Sequence, residues 1–121
     1  MNGVPPIVEI LESLRRASPQ VSGACVTSLE GRLLGSAALE GIQAVQVSGL
    51  SAASLAIARK GTKDLKLGGL EGAQIVGTSG AILLLDVGTK AVLTVIVRET
   101  ARLESVAQEA RKAAQRLAEI V

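Results

Sequence analysis

Residues 78–97 read TSGAILLLDVGTKAVLTVIV, and this stretch decides the fold class of the chain. Two of its segments, Ala81–Val87 and Ala91–Val97, are rich in leucine and β-branched residues, which favour strands. A three-residue Gly-Thr-Lys turn separates them, so they are predicted to pair as an antiparallel hairpin. Because another turn at Ser79-Gly80 precedes the hairpin, we predict a weaker third strand at Gly72–Thr78 in the same meander.

A similar pattern lies nearer the amino terminus, where residues 21–37 read VSGACVTSLEGRLLGSA. The pair Glu30-Gly31 is typical of a tight turn between two strands. We predict a β-hairpin with strands at Gly23–Leu29 and Arg32–Ala37. The chain is thus expected to contain five antiparallel strands, two before its middle segment and three after it.

Two amphipathic helices are predicted near the ends of the chain. Residues 5–19 place apolar side chains at helical spacing, with Pro5 and Pro6 in the first turn. Residues 101–121 carry an apolar stripe opposite a charged face, and Thr100 is the predicted N-cap. Each helix can bury one side on the sheet and expose the other side to water.

A third helix is predicted between the two groups of strands, from Ile42 to Lys60, with Gly61 as its C-terminal cap. The element order is then α-β-β-α-β-β-β-α. This order predicts an α+β fold with a five-stranded antiparallel sheet and helices on both faces. We expect residues 1–121 to form a single domain, because a chain of this length supports one modest core.

The composition excludes several kinds of function. The chain has no His and no aromatic residue, so neither a Ser-His-Asp triad nor base stacking on single-stranded nucleic acid is available to it. Its net charge is +2 without a run of basic residues, which gives little support to nucleic-acid binding. Asp64 and Asp86 are isolated carboxylates, so no metal site is predicted. We therefore predict no enzyme activity, no catalytic residue and no cofactor.

Cys25 lies in an apolar, strand-like stretch and is predicted to be a buried structural thiol. A single cysteine forms no disulfide within the chain, which fits a reducing compartment. The first residues, MNGVPPIVEI, are not basic and include an early glutamate, so no signal peptide is predicted. A cytoplasmic location is expected.

The middle helix differs from the other two because residues 41–58 contain no charge. On a helical wheel, Ile42, Val47, Leu50 and Ile57 share one arc, and we predict that this arc packs on the sheet. The opposite arc carries small residues at a spacing of four and is neither bulky nor charged. A helix face in water usually carries Lys or Glu, so this arc is expected to contact protein.

We predict that the contact is with a second copy of the chain across a two-fold axis. The weak strand at Gly72–Thr78 would extend the sheet by pairing with its own copy. Two alternatives stay open: the helix is buried within the monomer beneath a loop, or it is simply solvated. Its two glutamines and three serines argue against insertion into a membrane. The predicted dimer interface comprises Ala44, Ser48, Ser51, Ala52, Leu55, Ala56, Ile75 and Gly77.

The two hairpin sequences and the order of the elements resemble the roadblock family, which includes dynein light-chain and MglB-type domains. The resemblance covers about residues 5–121 and rests on SGACVTSLEGRLLGSA and TSGAILLLDVGTKAVLTVIV. The residues that match the family pattern are Gly23, Ala24, Val26 and Gly31 in the first hairpin and Gly80, Leu83, Leu85, Ala91 and Leu93 in the second.

The resemblance implies a roadblock or profilin-like fold with the sheet order 2-1-5-4-3, which places the third strand at an edge. It implies homodimers or heterodimers in which the middle helices pack together and the sheets join through the third strand. It also implies a partner, because roadblock domains commonly bind and regulate small Ras-like GTPases, either as scaffolds or as GTPase-activating partners.

The leading prediction is therefore a non-enzymatic homodimeric module that binds and regulates a small Ras-like GTPase. One alternative is a small-molecule sensor of the profilin or PAS-like type, with a pocket between the sheet and a helix. Another is a purely structural adaptor in a larger complex. Nucleic acid is not an expected partner, and insertion into a membrane is not expected.

Overall fold

The computed structural model describes residues 6–39 and 41–121. The predicted helical position of Pro5 and the side chain of Ile42 lie outside the described residues. The observed element order confirms the predicted α+β fold class. The elements are α1 (Pro6–Ala17), β1 (Val21–Ser28), β2 (Leu33–Ala37), α2 (Gly41–Asp64), β3 (Ala73–Gly77), β4 (Gly80–Val87), β5 (Ala91–Val97) and α3 (Leu103–Ala118).

The five strands form one antiparallel sheet in the order β2-β1-β5-β4-β3. This is the order that the resemblance implies, with β3 at one edge and β2 at the other. The central strand β5 pairs with β1 through Cys25 and Thr94, and with β4 through Leu84 and Thr94. These three residues therefore form one row across the sheet, which matters because α2 covers that row.

The face of the sheet toward α1 and α3 is closed by apolar packing. Alternate strand residues such as Val26, Leu83 and Leu93 meet buried helix residues such as Leu11 and Leu117. All five side chains are at most 2% exposed. Burying a leucine completely contributes roughly 1.5–3 kcal/mol, so this face provides most of the hydrophobic stabilisation of the subunit.

The opposite face carries α2 alone. Leu55 of α2 packs on Leu84 and Val92 in a small apolar cluster. Hydroxyl groups make much of the remaining contact, because Ser48 and Ser51 of α2 lie buried over the sheet. The helix crosses the sheet diagonally, since it contacts β1, β2 and β5, and its last turns reach β4.

The carboxyl end of α2 differs from the prediction. The helix continues through Gly61 to Asp64, so Gly61 is not its cap. Instead, Lys66 adopts a left-handed φ of 58°, and the Leu67 amide donates to the Thr62 carbonyl at 2.8 Å. The Lys66 amide donates to the carbonyl three residues earlier, which completes a Schellman-type end.

The start of α3 also differs from the prediction, because Thr100 is not the N-cap. The N-cap is Arg102, whose side chain makes no capping hydrogen bond. The Thr100 carbonyl instead accepts a hydrogen bond from the Leu103 amide at 3.3 Å, in a turn that precedes the helix.

Candidate interaction surface

The middle helix turns its small, hydroxyl-bearing side toward its own sheet. We call this side the inner arc, and its members are 0–2% exposed. Thr27 of β1 donates to Ser48 Oγ at 3.1 Å, and Ser48 donates to the Ala44 carbonyl at 3.0 Å. Thr94 of β5 donates to Ser51 Oγ at 2.6 Å. The inner arc consists of Ala44, Ser48, Ser51 and Leu55.

This orientation reverses the predicted one. Leu50 is 55% exposed and Ile57 is 75% exposed, so the prediction that their arc packs on the sheet is wrong. Val47 is half-buried. The physical reason is that Thr27 and Thr94 project from the sheet and need hydroxyl partners, which only the serine side of α2 supplies.

The predicted interface residues accordingly fall into two groups. Half of them form the inner arc and are buried within their own subunit, so their side chains do not reach the surface. These four residues are therefore buried within the monomer, as one of the two alternatives predicted. The sheet covers them, whereas that alternative predicted a loop. The others are Ala52, which is half-buried, and Ala56, Ile75 and Gly77, which are exposed. Whether α2 and β3 form a dimer interface stays a prediction.

The outward side of α2 is apolar and uncharged. We call this side the outer arc, and its members are all exposed and recur at helical spacing. The largest are Val45 at 64%, Leu50 at 55% and Ile57 at 75% exposure. An exposed apolar patch of this kind marks an interaction site more often than a solvated face. The outer arc consists of Val45, Gln46, Gly49, Leu50, Ala53, Ala56 and Ile57.

The edge strand β3 also carries exposed apolar side chains, one of them on the α2 side of the sheet. Ile75 pairs with Ile82 of β4, and the pair two residues away, Ala73 and Leu84, belongs to the cluster under α2. Because side chains alternate along a strand, Ile75 therefore projects toward the α2 side. Ile75 is 45% exposed and Val76 is 61% exposed.

The two sheet edges differ in how far they are covered. Strand β2 is half-buried beside α1, and a Cβ at Gly35 would lie 2.7 Å from Ile7 Cγ2. Within the described part of the chain, β3 pairs with β4 alone, and four of its five residues are exposed. An exposed edge strand without proline or charge is a template for pairing with another chain.

The chemistry beneath α2 is structural rather than reactive. Cys25 lies on this face and is fully buried, as predicted. Burial raises the pKa of its thiol above the ordinary range, and hydrogen bonds with Thr27, Thr94 and Ser48 offset this only in part. A thiol in this environment is a poor nucleophile.

Two further properties concern the described residues only. Their His, Cys, Asp and Glu side chains include no group of three that could bind a metal ion. None of the helices in residues 6–39 and 41–121 combines the length and the apolar character that crossing a bilayer requires.

The sequence did contain a signal for the orientation of α2 that helical periodicity alone does not reveal. Cys25 and Thr27 of β1 and Thr94 of β5 share one face of the sheet, whereas the other face has apolar residues at the alternate positions. Buried hydroxyls must be hydrogen-bonded, so these strand residues predict that the helix above them presents its serines.

Comparison with solved structures shows the same fold in several proteins. The gliding protein MglB from Thermus thermophilus has a TM-score of 0.85 at 23% identity, covering 99% of this chain and 93% of that chain. MglB in a tetrameric arrangement has a TM-score of 0.86 at 24% identity, with coverage of 99% and 92%. Acanthamoeba castellanii profilin IB has a TM-score of 0.65 at 15% identity, with coverage of 93% and 96%.

Comparison of the sequence with protein families gives the more specific result. No curated protein sequence shows a significant match. The sequence profile of the Roadblock/LC7 domain, however, matches residues 7–97, which include the sheet and helices α1 and α2. Because this match spans well over half of the chain, the protein belongs to the Roadblock/LC7 domain family, whose members are regulatory and scaffolding domains.

Proposed function

We propose that the protein is a non-catalytic homodimeric regulator or scaffold that binds a small Ras-like GTPase. The observation that supports this proposal is the outer arc of α2, an uncharged helix face with three large side chains more than half exposed. In water such a face is costly for solubility, whereas burial against protein gains roughly 25 cal/mol per Å² of apolar surface.

A second copy of the chain is the simplest partner for this surface. The outer arc and the exposed edge of β3 lie on one side of the sheet, so a two-fold axis beside β3 would bring both into contact with their own copies. Antiparallel pairing of two β3 strands would extend the sheet and satisfy the free backbone groups of the edge. The tetrameric arrangement of an MglB with the same fold agrees with self-association.

The GTPase partner is supported by family membership rather than by a single side chain. Roadblock and MglB-type domains commonly regulate small Ras-like GTPases. In a dimer, the two α2 helices would form a composite surface that neither subunit has alone. The protein would supply binding and positioning, because the chain contains no His and the one cysteine is buried.

The alternative of a small-molecule sensor with a pocket between the sheet and a helix fits the α2 side of the structure less well. The helix lies directly on the sheet, where Ser48 and Ser51 bond to Thr27 and Thr94 at 3.1 and 2.6 Å. A ligand in that space would have to break both bonds. The observations therefore favour an interaction module.

Self-association is tested by sedimentation velocity at micromolar concentration. The wild-type chain is expected to sediment as a dimer. Leu50→Glu places a charge on the outer arc and should yield monomers that keep their helical circular dichroism, because Leu50 is 55% exposed. Gln115→Glu, an exposed position on α3, is the matched control and should remain dimeric. A monomeric wild type would overturn the dimer.

GTPase binding is tested with a purified Ras-like GTPase from the same organism. The purified GTPase is loaded with GDP or with a non-hydrolysable GTP analogue and titrated with the wild-type dimer in a calorimeter. We expect binding that depends on the nucleotide and that is weakened in Leu50→Glu. If neither loaded form binds, a regulatory role toward that GTPase is refuted.

A further inference from the structure

The segment from Arg59 to Leu70, which we call the basic corner, carries the net positive charge of the chain. It contains four of the 13 basic residues and one of the 11 acidic residues. The remaining nine basic and ten acidic residues give the rest of the chain a net charge of −1. Arg59 and Lys60 are adjacent, and Lys63 and Lys66 follow at intervals of three residues, so the sequence shows no longer basic run. All four lie at the carboxyl end of α2 and in the turn that follows it, at one corner of the molecule.

The basic corner protrudes from the subunit. Every residue from Lys63 to Gly69 is exposed. The chain reverses at Lys66 and Gly68, which have φ of 58° and 94°. Within this reversal, Leu65 is 71% exposed and Leu67 is 70% exposed. Two leucines at a protruding turn, each next to a lysine, have no packing role in the subunit.

An open cavity of about 530 Å³ lies between the last turns of α2 and the segment that follows them. The cations of Arg59, Lys63 and Lys66 line it, together with Gly68 and Gly69. Neither Asp64 nor Glu71 lines the cavity.

Arg59 forms an ion pair with Asp86, and Lys60 forms one with Asp64. Lys63 and Lys66 form no ion pair with any described residue, so they carry the free positive charge of the corner. Two lysines without an ion pair among the described residues, beside Gly68 and Gly69, suit an anionic group with several oxygen acceptors, such as a phosphate diester or monoester.

We propose that the basic corner docks peripherally on an anionic phospholipid surface. The cavity would accept a lipid phosphate, and Leu65 and Leu67 would enter the boundary between headgroups and acyl chains. The charge alone would also suit an acidic protein. The exposed leucines on a protruding turn favour the lipid, because a soft interface can surround a projecting side chain, and basic residues next to apolar ones are typical of interfacial binding.

This contact differs from a membrane-spanning segment, which none of the described helices can form. It also does not depend on the proposed dimer, since each subunit carries a complete basic corner. Two corners on one dimer would bind the same surface with higher avidity if both faced it. Failure of GTPase binding would leave the inference intact, and failure of lipid binding would leave the proposed function intact.

The test is co-sedimentation of the full chain with vesicles. Vesicles of phosphatidylcholine containing about one third phosphatidylglycerol are compared with pure phosphatidylcholine, at low and at high salt. We expect at least about tenfold tighter binding to the anionic vesicles, and most of this difference should disappear at high salt. Equal binding to both vesicles, or none, would overturn the inference.

Variants separate the two components of the contact. Lys63→Gln/Lys66→Asn removes two cations, and asparagine tolerates the left-handed conformation at position 66. We expect this variant to lose about tenfold in affinity for anionic vesicles. Leu65→Ser/Leu67→Ser should weaken binding while its salt dependence is retained. Lys112→Gln/Arg116→Gln, which removes two exposed cations from α3, is the matched control and should bind as the wild type does.

Soluble anions form the last arm of the experiment. If inorganic pyrophosphate raises the melting temperature of the wild type but the vesicles do not bind, the cavity is a site for soluble phosphates and the lipid inference is wrong. If polyglutamate binds and the vesicles do not, the corner recognises acidic protein and the inference is likewise wrong.

Discussion

The two faces of the sheet are closed by different chemistry. On the face of α1 and α3, apolar strand residues meet apolar helix stripes, and the outward sides of those helices carry ion pairs such as Arg16 with Glu9 and Lys112 with Glu109. On the face of α2, the helix presents serines to buried threonines and turns its larger apolar side chains outward. The helices on one face of the sheet thus expose charged side chains to water, whereas the helix on the other face exposes apolar side chains.

This difference shows how a small chain can combine a stable subunit with an interaction surface. Because α1 and α3 form the main apolar core with the sheet, α2 does not have to bury its large apolar side chains within the subunit. Hydroxyl pairs then fix the position of α2 at little gain in stability, because an intramolecular hydrogen bond contributes only about 0.5–1.5 kcal/mol net. The apolar residues of α2 remain available for contacts with other chains.

The largest expected effect on stability comes from truncating one buried leucine to alanine on each face of the sheet. Among the described side chains of α2, Leu55 is the one large apolar residue that is fully buried, whereas Leu117 of α3 belongs to an extensive cluster. Leu55→Ala and Leu117→Ala should each lower the free energy of unfolding by about 2–5 kcal/mol. Hydrogen exchange should distinguish them, because Leu55→Ala frees α2 locally while α1 and α3 stay protected.

Leu117→Ala should instead reduce protection across the whole sheet. If Leu55→Ala also lowers protection uniformly, α2 is as much a part of the main cooperative unit as α3 is. The two faces would then differ in chemistry without differing in stability.

A smaller effect is expected from the hydroxyl pairs. Ser51→Ala leaves the buried Thr94 hydroxyl without its acceptor at 2.6 Å and should cost about 1–3 kcal/mol. Adding Thr94→Val removes both partners and should recover most of this loss. Ser54→Ala, a half-buried position on the same helix, measures the gain in helix propensity and serves as the control. Urea unfolding of these variants and of Thr94→Val alone gives the coupling energy between residues 51 and 94. A coupling energy near zero would mean that the hydroxyl pair does not hold α2 in place.

The fold was largely predictable because each element has a strong local signal. The prediction of Ala91–Val97 matches β5 at both ends. The prediction of Ala81–Val87 differs from β4 by one residue at its start. The helix ends were less predictable. Gly61 looks like a cap in sequence, but the helix continues and ends where Lys66 takes the left-handed conformation. Neighbouring hydrogen bonds, rather than residue type alone, decide such an end.

The candidate surface was only partly predictable, for a physical reason. Both arcs of α2 are uncharged and carry apolar residues, so hydrophobic periodicity does not indicate which arc is buried. The contrast between Ser51, which is buried, and Leu50, which is exposed, inverts the usual expectation. The sequence of the helix alone does not resolve it, because the deciding partner, Thr94, lies in a strand 43 residues away.

The smallest predicted effect concerns pH and the thiol beneath α2. Burial raises the pKa of Cys25 in the folded chain, so above about pH 8.5 the unfolded chain releases a proton that the folded chain retains. Stability then falls as pH rises, because the folded state binds more protons. The chain has no His or Tyr whose titration would obscure that of the thiol in this pH range.

Between pH 7.5 and 9.5 the free energy of unfolding should decrease by up to about 1 kcal/mol, and Cys25→Ala should abolish this dependence. An equal slope in both proteins would show that the thiol is not held in a dry layer between α2 and the sheet, and the distinction between the two faces would then rest on the serine–threonine pairs alone.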